Sequence, residues 1–316
     1  MPRVLLITNP AAARTDARAV LTVRDTLRAG GWQVEVLATA GPGDARRFAT
    51  EAAAEGHGGF DLLLSVGGDG TAMQVAAGLV GSGIPLGLVA GGTGNILARN
   101  LRLPIDPARA ARAILTGVPY AMDLGQVTRA DGEHFFAVCG GAGFDAQIMA
   151  ATDTMFKRRW KIGAYFYKAL ATLSQVKSVT HRITVDGVEH TVDAAMVLVA
   201  NCRELVPRLV RVSPAVWPND GWFDVIAIRA DGVWDAVVSF ATFLSTRGAP
   251  DARGRIWTAR GRVVKVEVLN GPPQPVQLDG ELAGVTPFEA RLVPRALTVL
   301  VDPDTVPGGI GSANGR

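Results

Sequence analysis

The sequence has few cysteines and histidines and no long apolar run. Cys139 and Cys202 both lie in apolar stretches, which favours buried thiols in a reducing compartment over a disulfide. The four histidines lack the spacing of a zinc site. No run of about 18 apolar residues could form a membrane-spanning helix, and no cleavage motif marks a signal peptide. We therefore expect a soluble, cytoplasmic protein.

The sequence also has little excess of positive over negative charge. The formal net charge is +3 over 316 residues, so we expect no nucleic-acid partner. Serine hydrolase chemistry is not indicated, since Ser65 and Ser213 lack the setting of a catalytic triad. By contrast, 48% of the residues are hydrophobic, which at this length predicts a sizeable core divided between two domains.

Residues 1–121 alternate between apolar strands and helices. The strands are short and continuously apolar, as in a parallel sheet covered on both faces. We predict strands at 4–8, 32–37, 60–64 and 85–90, and helices at 15–29, 44–55, 71–79, 96–100 and 104–117. This half is predicted to be an α/β domain that binds its ligand at the carboxyl ends of the strands.

A glycine loop follows the third strand, in the run Ser65-Val66-Gly67-Gly68-Asp69-Gly70-Thr71. Because three of four residues lack a β-carbon, consecutive backbone N–H groups can converge on an anion beside a helix N-terminus. Phosphate is the natural occupant, and the carboxylate of Asp69 is explained if magnesium or its waters lie between them. The alternative is a simple turn in which Asp69 caps the helix.

A second glycine loop, Gly91-Gly92-Thr93-Gly94-Asn95, follows the fourth strand and opens a helix. Loops at adjacent strand ends of a parallel sheet face one crevice, whereas two unrelated tight turns would be a coincidence. We predict that both loops contact the phosphates of a nucleotide.

From residue 122 to residue 301 apolar and polar residues alternate, which predicts a mainly antiparallel β-sandwich domain. Asp-Gly pairs at 131–132 and 186–187 predict hairpin turns. We predict strands at 222–228, 263–269, 288–292 and 297–301, and helices at 155–176 and 233–244. Residues 302–316 are a polar, glycine-rich tail.

Five motifs together resemble those of the diacylglycerol kinase-like lipid kinases, the family of bacterial diacylglycerol kinases and sphingosine kinases. They are Asn9-Pro10, Gly67-Gly68-Asp69-Gly70-Thr71, Gly92-Thr93-Gly94-Asn95, Asp220-Gly221 and Asp279-Gly280-Glu281. The resemblance spans residues 3 to 301. It implies a nucleotide-binding α/β domain, a β-rich substrate domain, an active-site cleft between them, and ATP with Mg²⁺ as the phosphoryl donor.

The resemblance also assigns residues to the cofactor site. Those matched to ATP binding are Asn9, Thr39, Gly67, Gly68, Asp69, Gly70, Thr71, Ala72, Met73 and Thr93. Taken singly, such residues are more often caps or turn formers.

Three carboxylates are matched to catalysis. Asp279 resembles the general base of the family, with Glu281 assisting it and Asp69 acting near magnesium. A carboxylate suits this chemistry because phosphoryl transfer needs little more than positioning, charge neutralisation and acceptance of the acceptor's proton. Without the other motifs, Asp279-Gly280 would be interpreted as a hairpin turn.

The run Trp217-Pro218-Asn219-Asp220-Gly221-Trp222 resembles a structural magnesium site, with the carboxylate of Asp220 and the carbonyls of Trp217 and Trp222 as ligands. A metal-free turn remains an alternative. The chain also departs from the family pattern: Ile96 stands where many members have aspartate, which removes a second carboxylate from the second loop.

The function with most support from the sequence is an ATP- and Mg²⁺-dependent lipid kinase. A kinase of a soluble metabolite such as NAD is the alternative, since NAD kinases and phosphofructokinases share the Gly-Gly-Asp-Gly motif, and a nucleotide sensor without catalysis is a third. Residues 153–177 contain six basic residues, one acidic residue and five aromatic residues. Together with the resemblance, this composition favours a peripheral position on an anionic membrane. The alternative is an ordinary helix that packs its aromatic side chains into the β domain and leaves its charges in water. The oligomeric state is left open, a homodimer included.

Overall fold

The structure is a computed structural model that describes residues 1–12, 15, 17–55, 59–144, 146, 176–206, 210–213, 216–251 and 253–305. The chain divides into two compact units. Unit 1 contains Met1–Asp123 and Pro294–Arg316, and unit 2 contains Leu124–Val293. The helix predicted over 155–176 and the tail after residue 305 lie outside the described residues, apart from Val176.

Unit 1 contains a parallel sheet in the order β2-β1-β3-β4. Its strands are β1 (Arg3–Thr8), β2 (Gln33–Ala38), β3 (Leu62–Gly67) and β4 (Leu86–Ala90). Every residue of β3 and β4 is buried, as expected for central strands covered on both faces.

Five helices alternate with these strands. They are α1 (Ala17–Ala29), α2 (Asp44–Ala54), α3 (Asp69–Leu79), α4 (Ile96–Asn100) and α5 (Pro107–Leu115). The core forms where Val23 and Leu27 of α1 and Ile114 of α5 pack on apolar side chains of the sheet such as Leu64. The predicted α/β architecture of the first half is therefore confirmed.

Unit 2 is a β-sandwich with one described helix. Its strands are β5 (Val118–Arg129, beginning in unit 1), β6 (Gly132–Phe136), β7 (Cys139–Gly143), β8 (Val179–Val185), β9 (Val188–Ala194), β10 (Met196–Ala200), β11 (Glu204–Val206), β12 (Val210–Arg211), β13 (Phe223–Ile228), β14 (Ile256–Gly261), β15 (Val263–Val268), β16 (Pro275–Leu278), β17 (Glu281–Val285) and β18 (Phe288–Val301). The helix is α6 (Val233–Thr246).

The antiparallel strands of unit 2 form two main layers. One has the order β14-β13-β10-β7-β16-β17, and the other includes β18-β15-β8-β9. Alternate residues of both layers, among them Phe136, Val199, Phe223, Val264 and Phe288, are buried in one shared core. This arrangement confirms the predicted antiparallel sandwich.

The structure corrects three details of the prediction. Strands predicted at 288–292 and 297–301 are one strand, β18, which bends at Arg295, where φ is 51° and the N–H donates to the Asp123 carboxylate at 2.7 Å. Because Val299 then pairs in parallel with Leu86 of β4, residues 294–301 belong to unit 1 and not to the β-rich domain.

The remaining correction concerns the first hairpin turn. Arg129 lies opposite Gly132, so Ala130 and Asp131 form the turn in place of Asp131 and Gly132. A further observation concerns membranes: within the part of the chain that the structure describes, no helix is long and apolar enough to cross one.

Candidate functional site

The first glycine loop is a very tight connection between β3 and α3. The strand ends at Gly67, the helix begins at Asp69, and no side chain caps the helix at Gly68. The first N–H groups of an α-helix have no partner within the helix. The N-terminus of α3 therefore offers uncapped backbone donors at the carboxyl edge of the parallel sheet, where an anion can bind.

The two glycine loops touch each other through their backbones. The N–H of Gly91 donates to the carbonyl of Gly67 at 2.7 Å. A β-carbon added at Gly92 would lie 2.6 Å from the Cα of Gly68, a distance that no real side chain tolerates. Glycine is therefore required at Gly92 for this approach, quite apart from any ligand.

Asp69 links the first loop to the helix that follows the second. Its Oδ1 accepts a hydrogen bond of 3.1 Å from the N–H of Leu97 in α4. Burial raises the pKa of the Asp69 carboxyl, and hydrogen bonds from the N–H groups of Leu97, Ile96 and Asn95 oppose that rise. The carboxylate thus positions the second loop, while its expected role near magnesium stays a prediction.

Asn95 shapes the second loop and was not among the predicted site residues. It is buried with a positive φ of 50°, its Oδ1 accepts from the N–H of Gly92 at 2.8 Å, and its Nδ2 donates to the Gly92 carbonyl at 2.9 Å. Asparagine tolerates this left-handed conformation better than most residues, and its place at the end of a glycine run was the available signal.

Other predicted nucleotide-site residues lie along the same edge of unit 1. The Nδ2 of Asn9 donates to the hydroxyl of Thr71 at 3.1 Å, and the N–H of Thr39 donates to the carbonyl of Thr8 at 2.9 Å. Asn9, Thr39 and Thr71 are thus brought to the carboxyl ends of β1, β2 and β3, as a shared site requires. Thr93 is exposed.

A recess between the two loops contains an unsatisfied hydroxyl. It is lined in part by Ser65, Gly68, Asp69 and Asn95. The Oγ of Ser65 is buried, with no hydrogen-bond partner among the described residues. A buried hydroxyl without a partner is costly, so an additional polar group or water here would stabilise it. The uncapped N-terminus of α3 fits an anion such as phosphate, and the unpartnered Ser65 hydroxyl beside it can receive a further polar group or water.

Asp279 in unit 2 is held by three backbone donors. It forms, with Gly280, the two-residue turn between β16 and β17, with φ values of 48° and 85°. Its Oδ2 accepts from the N–H of Ala137 at 2.7 Å, and its Oδ1 accepts from Val138 and Cys139 at 2.8 and 2.9 Å. The hairpin interpretation and a catalytic role are compatible, because a carboxylate has about four acceptor positions.

Buried side chains from β10 and its loop brace this arrangement. The Nδ2 of Asn201 donates to the carbonyl of Ala137 at 2.8 Å, and the thiol of Cys202 contacts the same oxygen at 3.2 Å. Burial raises the pKa of Cys202 well above its usual value, so the thiol stays protonated. Glu281, the first residue of β17, is exposed. Asn201 was missed by the sequence analysis, since it carries no motif of its own.

The turn predicted to hold a structural magnesium ion contains an arginine partner. The Asp220 carboxylate accepts from the N–H groups of Trp222 at 3.0 Å and Trp217 at 3.2 Å, and its Oδ2 pairs with the Arg260 guanidinium. The Nε of Arg260 also lies 3.5 Å from Asp224. Burial raises the pKa of Asp224, the charge of Asp220 adds to the rise, and Arg260 opposes it.

Because a guanidinium lies between the two carboxylates, the turn already has its neutralising cation. The carbonyl of Trp217 is moreover engaged by the N–H of Asp220 at 3.2 Å. The arginine partner favours the metal-free turn, while the structural magnesium ion stays a prediction.

Two family models match the chain. One describes the diacylglycerol kinase catalytic domain and matches residues 3–127; the other describes a YegS C-terminal, NAD kinase β-sandwich-like domain and matches residues 139–301. The chain belongs to the diacylglycerol kinase family. It is accordingly a phosphotransferase that acts on an alcohol group.

Curated relatives agree with this assignment, and a solved structure shares the fold. The chain is 30% identical to a diacylglycerol kinase of Mycobacterium tuberculosis over 94% of both chains, and 29% identical to one of Bacillus subtilis over 92% of this chain and 93% of the other. A crystal structure of a diacylglycerol kinase from Bacillus anthracis, 23% identical, has the same fold with a TM-score of 0.73 over 96% of this chain and 98% of the other.

Proposed function

We propose that this family member is an ATP- and Mg²⁺-dependent lipid kinase that phosphorylates the hydroxyl of diacylglycerol or a related lipid. The observation that carries the proposal is the pair of glycine loops joined by Asp69 at the carboxyl edge of unit 1. The names of the curated relatives support a lipid acceptor.

The residues of unit 1 would bind the nucleotide through its phosphates. The uncapped N-terminus of α3 supplies backbone donors, the hydroxyl of Ser65 supplies a further polar group, and Asn9 and Thr71 lie at the same edge. Magnesium, when bound with ATP, neutralises charge on the transferred phosphoryl group. Asp69, the carboxylate of the first glycine loop, is the residue of unit 1 that would lie near this ion.

Asp279 would accept the proton of the acceptor hydroxyl as the new oxygen–phosphorus bond forms and ADP leaves. Three backbone donors fix the position of its carboxylate before substrate binds, which removes the need to order it during the reaction. Glu281 follows two residues later and would assist through water.

The second candidate is a kinase of a soluble metabolite such as NAD, because the C-terminal family model is described as NAD kinase-like. The decisive measurement is transfer of radiolabelled phosphate from ATP to a panel of diacylglycerol, phosphatidylglycerol, sphingoid base and isoprenoid alcohol, with NAD included. Labelling of one lipid but not of NAD would support the proposal. Labelling of NAD alone would overturn it.

We also propose that the enzyme reaches its lipid as a peripheral membrane protein. Lys157, Arg158 and Arg159 belong to the basic, aromatic segment 153–177, of which residues up to 175 lie outside the described residues. Changing all three to glutamate should abolish sedimentation with anionic vesicles at low salt. Phosphorylation of a short-chain, dispersed lipid should be spared. Equal loss on both substrates would count against a membrane role for this segment.

A further inference from the structure

Helix α6 of unit 2 presents an apolar face to solvent. Its inner face packs into unit 2 through Ala236, Ser239 and Phe243, all of which are buried. On the outer side Trp234 is 82% exposed, Val237 is 46% exposed and Phe240 is 43% exposed. Val233 and Val238 are also exposed. Such a concentration of exposed large apolar side chains on one helix is unusual for a surface that meets only water.

Three hydroxyl groups in the C-terminal half of this helix are satisfied within the helix itself. The hydroxyl of Thr242 donates to the carbonyl of Val238 at 2.8 Å, and those of Ser245 and Thr246 donate to the carbonyl of Thr242 at 2.9 and 2.8 Å. Hydroxyl groups bonded back to the preceding turn need no partner from the surroundings. They can therefore enter an apolar phase at low cost.

The charged side chains near the apolar face of α6 lie at the two ends of the helix. Asp235, the one charged residue of α6, pairs with Arg255, and this hydrogen bond lowers the pKa of its carboxyl. Arg247 and Arg253, beyond the C-terminal end, are exposed. Within the part of the chain that the structure describes, neither guanidinium pairs with a carboxylate. Two free guanidinium groups beside an apolar face complement the phosphates of anionic lipid.

We propose that α6 lies in the interface of an anionic lipid bilayer and is a second surface, beside the basic segment 153–177, by which unit 2 docks on the membrane. The inference rests on the proposed function, since a lipid acceptor brings the enzyme to a bilayer. An apolar face with Trp234 at one end and arginines at the other is the pattern of a helix that lies in the headgroup region. The proposed surface consists of described residues only; Val176, at the end of segment 153–177, packs with Ala236 on the inner face of α6.

The test compares two matched substitutions. Val237→Asp places a charge on the proposed surface, and Leu21→Asp places one on α1 of unit 1 at an equally exposed apolar position (44%). In co-sedimentation with phosphatidylcholine vesicles containing one quarter phosphatidylglycerol, Val237→Asp should weaken binding at least about tenfold, because a branched apolar side chain no longer leaves water. Leu21→Asp should bind like the unmodified protein. High salt screens the repulsion between the new carboxylate and the anionic lipid, but part of the weakening should persist, since an apolar contact is also lost.

A second variant and a fluorescence measurement show whether weaker binding comes from the lost contact or from misfolding of Val237→Asp. Trp234→Ala alters a side chain that is 82% exposed, and it should also weaken binding by about tenfold. Brominated phosphatidylcholine should quench tryptophan fluorescence less in Trp234→Phe than in the unmodified protein, and the remaining tryptophans, Trp160 among them, account for the rest of the quenching. Unchanged vesicle binding in Val237→Asp and Trp234→Ala would overturn the proposal, as would equal weakening by Leu21→Asp.

If the apolar face of α6 is instead an interface between two copies of the chain, the experiments should give a different result. In that case sedimentation equilibrium without lipid would show a dimer that Val237→Asp dissociates, and the membrane proposal would fail. Kinase activity on a short-chain, dispersed diacylglycerol separates this inference from the proposed function. If the dispersed lipid is phosphorylated but α6 makes no contribution to vesicle binding, only this inference fails; if no lipid is phosphorylated, the proposed function fails.

Discussion

Asp186 and Asp279 occupy the same place in two β-hairpins of unit 2. Each begins an Asp-Gly turn with φ of 48°, and each donates its N–H to a carbonyl of an adjacent strand at 2.9 Å, that of Val263 or that of Cys139. The N–H groups of Val263 and Cys139 donate back to the two carboxylates at 2.8 and 2.9 Å. The same motif therefore serves structure at Asp186 and is available for chemistry at Asp279.

This pair allows the catalytic and structural roles to be separated. Asp186→Asn and Asp279→Asn should each lower the free energy of unfolding by about 1–3 kcal/mol, because an amide cannot accept every backbone hydrogen bond of the carboxylate. Only Asp279→Asn should also lower kcat, by about 10² to 10⁴. Urea unfolding and initial rates measure the two effects. If Asp186→Asn slows the reaction as much, Asp279 is not the base.

The contact between the glycine loops predicts a steric effect. Gly92→Ala should destabilise the protein by about 1–3 kcal/mol and abolish ATP binding, because its β-carbon would overlap the Cα of Gly68. Gly41→Ala is the matched control, since nothing lies within 4 Å of a β-carbon at that position. Urea unfolding and calorimetry with ATP measure both properties. A Gly92→Ala variant with normal stability would show that the loops do not touch.

Asp69 predicts a pH dependence of stability. Its pKa is raised above 3.8, mainly by burial, so the native state binds this proton more tightly than the unfolded state does. Stability must then fall as the pH rises from 3.8 through the raised pKa. Relative to Asp69→Asn, the unmodified protein should therefore lose stability between pH 3.5 and pH 7 (about the range over which such a group titrates). A relative gain would mean that the backbone N–H groups outweigh burial.

Because Arg260 pairs with Asp220, we expect the thermal stability of the protein without nucleotide to be independent of Mg²⁺. Without nucleotide, Mg²⁺ should not raise the unfolding temperature of the unmodified protein. Arg260→Gln should lose roughly 1 kcal/mol and become stabilised by Mg²⁺, because Asp220 and Asp224 are left without their cation. Arg291→Gln, which breaks the exposed pair with Glu289, is the control. Stabilisation of the unmodified protein by Mg²⁺ that disappears in Asp220→Asn would restore the metal site.

Local sequence patterns predicted the helices, strands and turns that are determined by neighbouring residues. The apolar runs of β1, β3 and β4, the two glycine loops and the helix from Val233 were all evident from neighbouring residues. The turn at Asp186-Gly187 was also predicted, since that pair favours positive φ at both positions. Strand β7 was not predicted, because its sequence, Cys-Gly-Gly-Ala-Gly, has little preference for a strand.

Tertiary structure decided which distant groups meet. Asp279 accepts hydrogen bonds from residues about 140 positions earlier, Asp220 pairs with Arg260, and the end of β18 joins the parallel sheet of unit 1. Periodicity and propensity describe a residue and its near neighbours. From the sequence alone, a carboxylate in an Asp-Gly pair is equally consistent with hydrogen bonds that close a turn and with coordination of a metal ion. The packing of strands that are far apart in the chain determines which group the carboxylate binds. The sequence therefore predicted that Asp69, Asp220 and Asp279 matter, but not which backbone N–H groups and guanidinium bind their carboxylates.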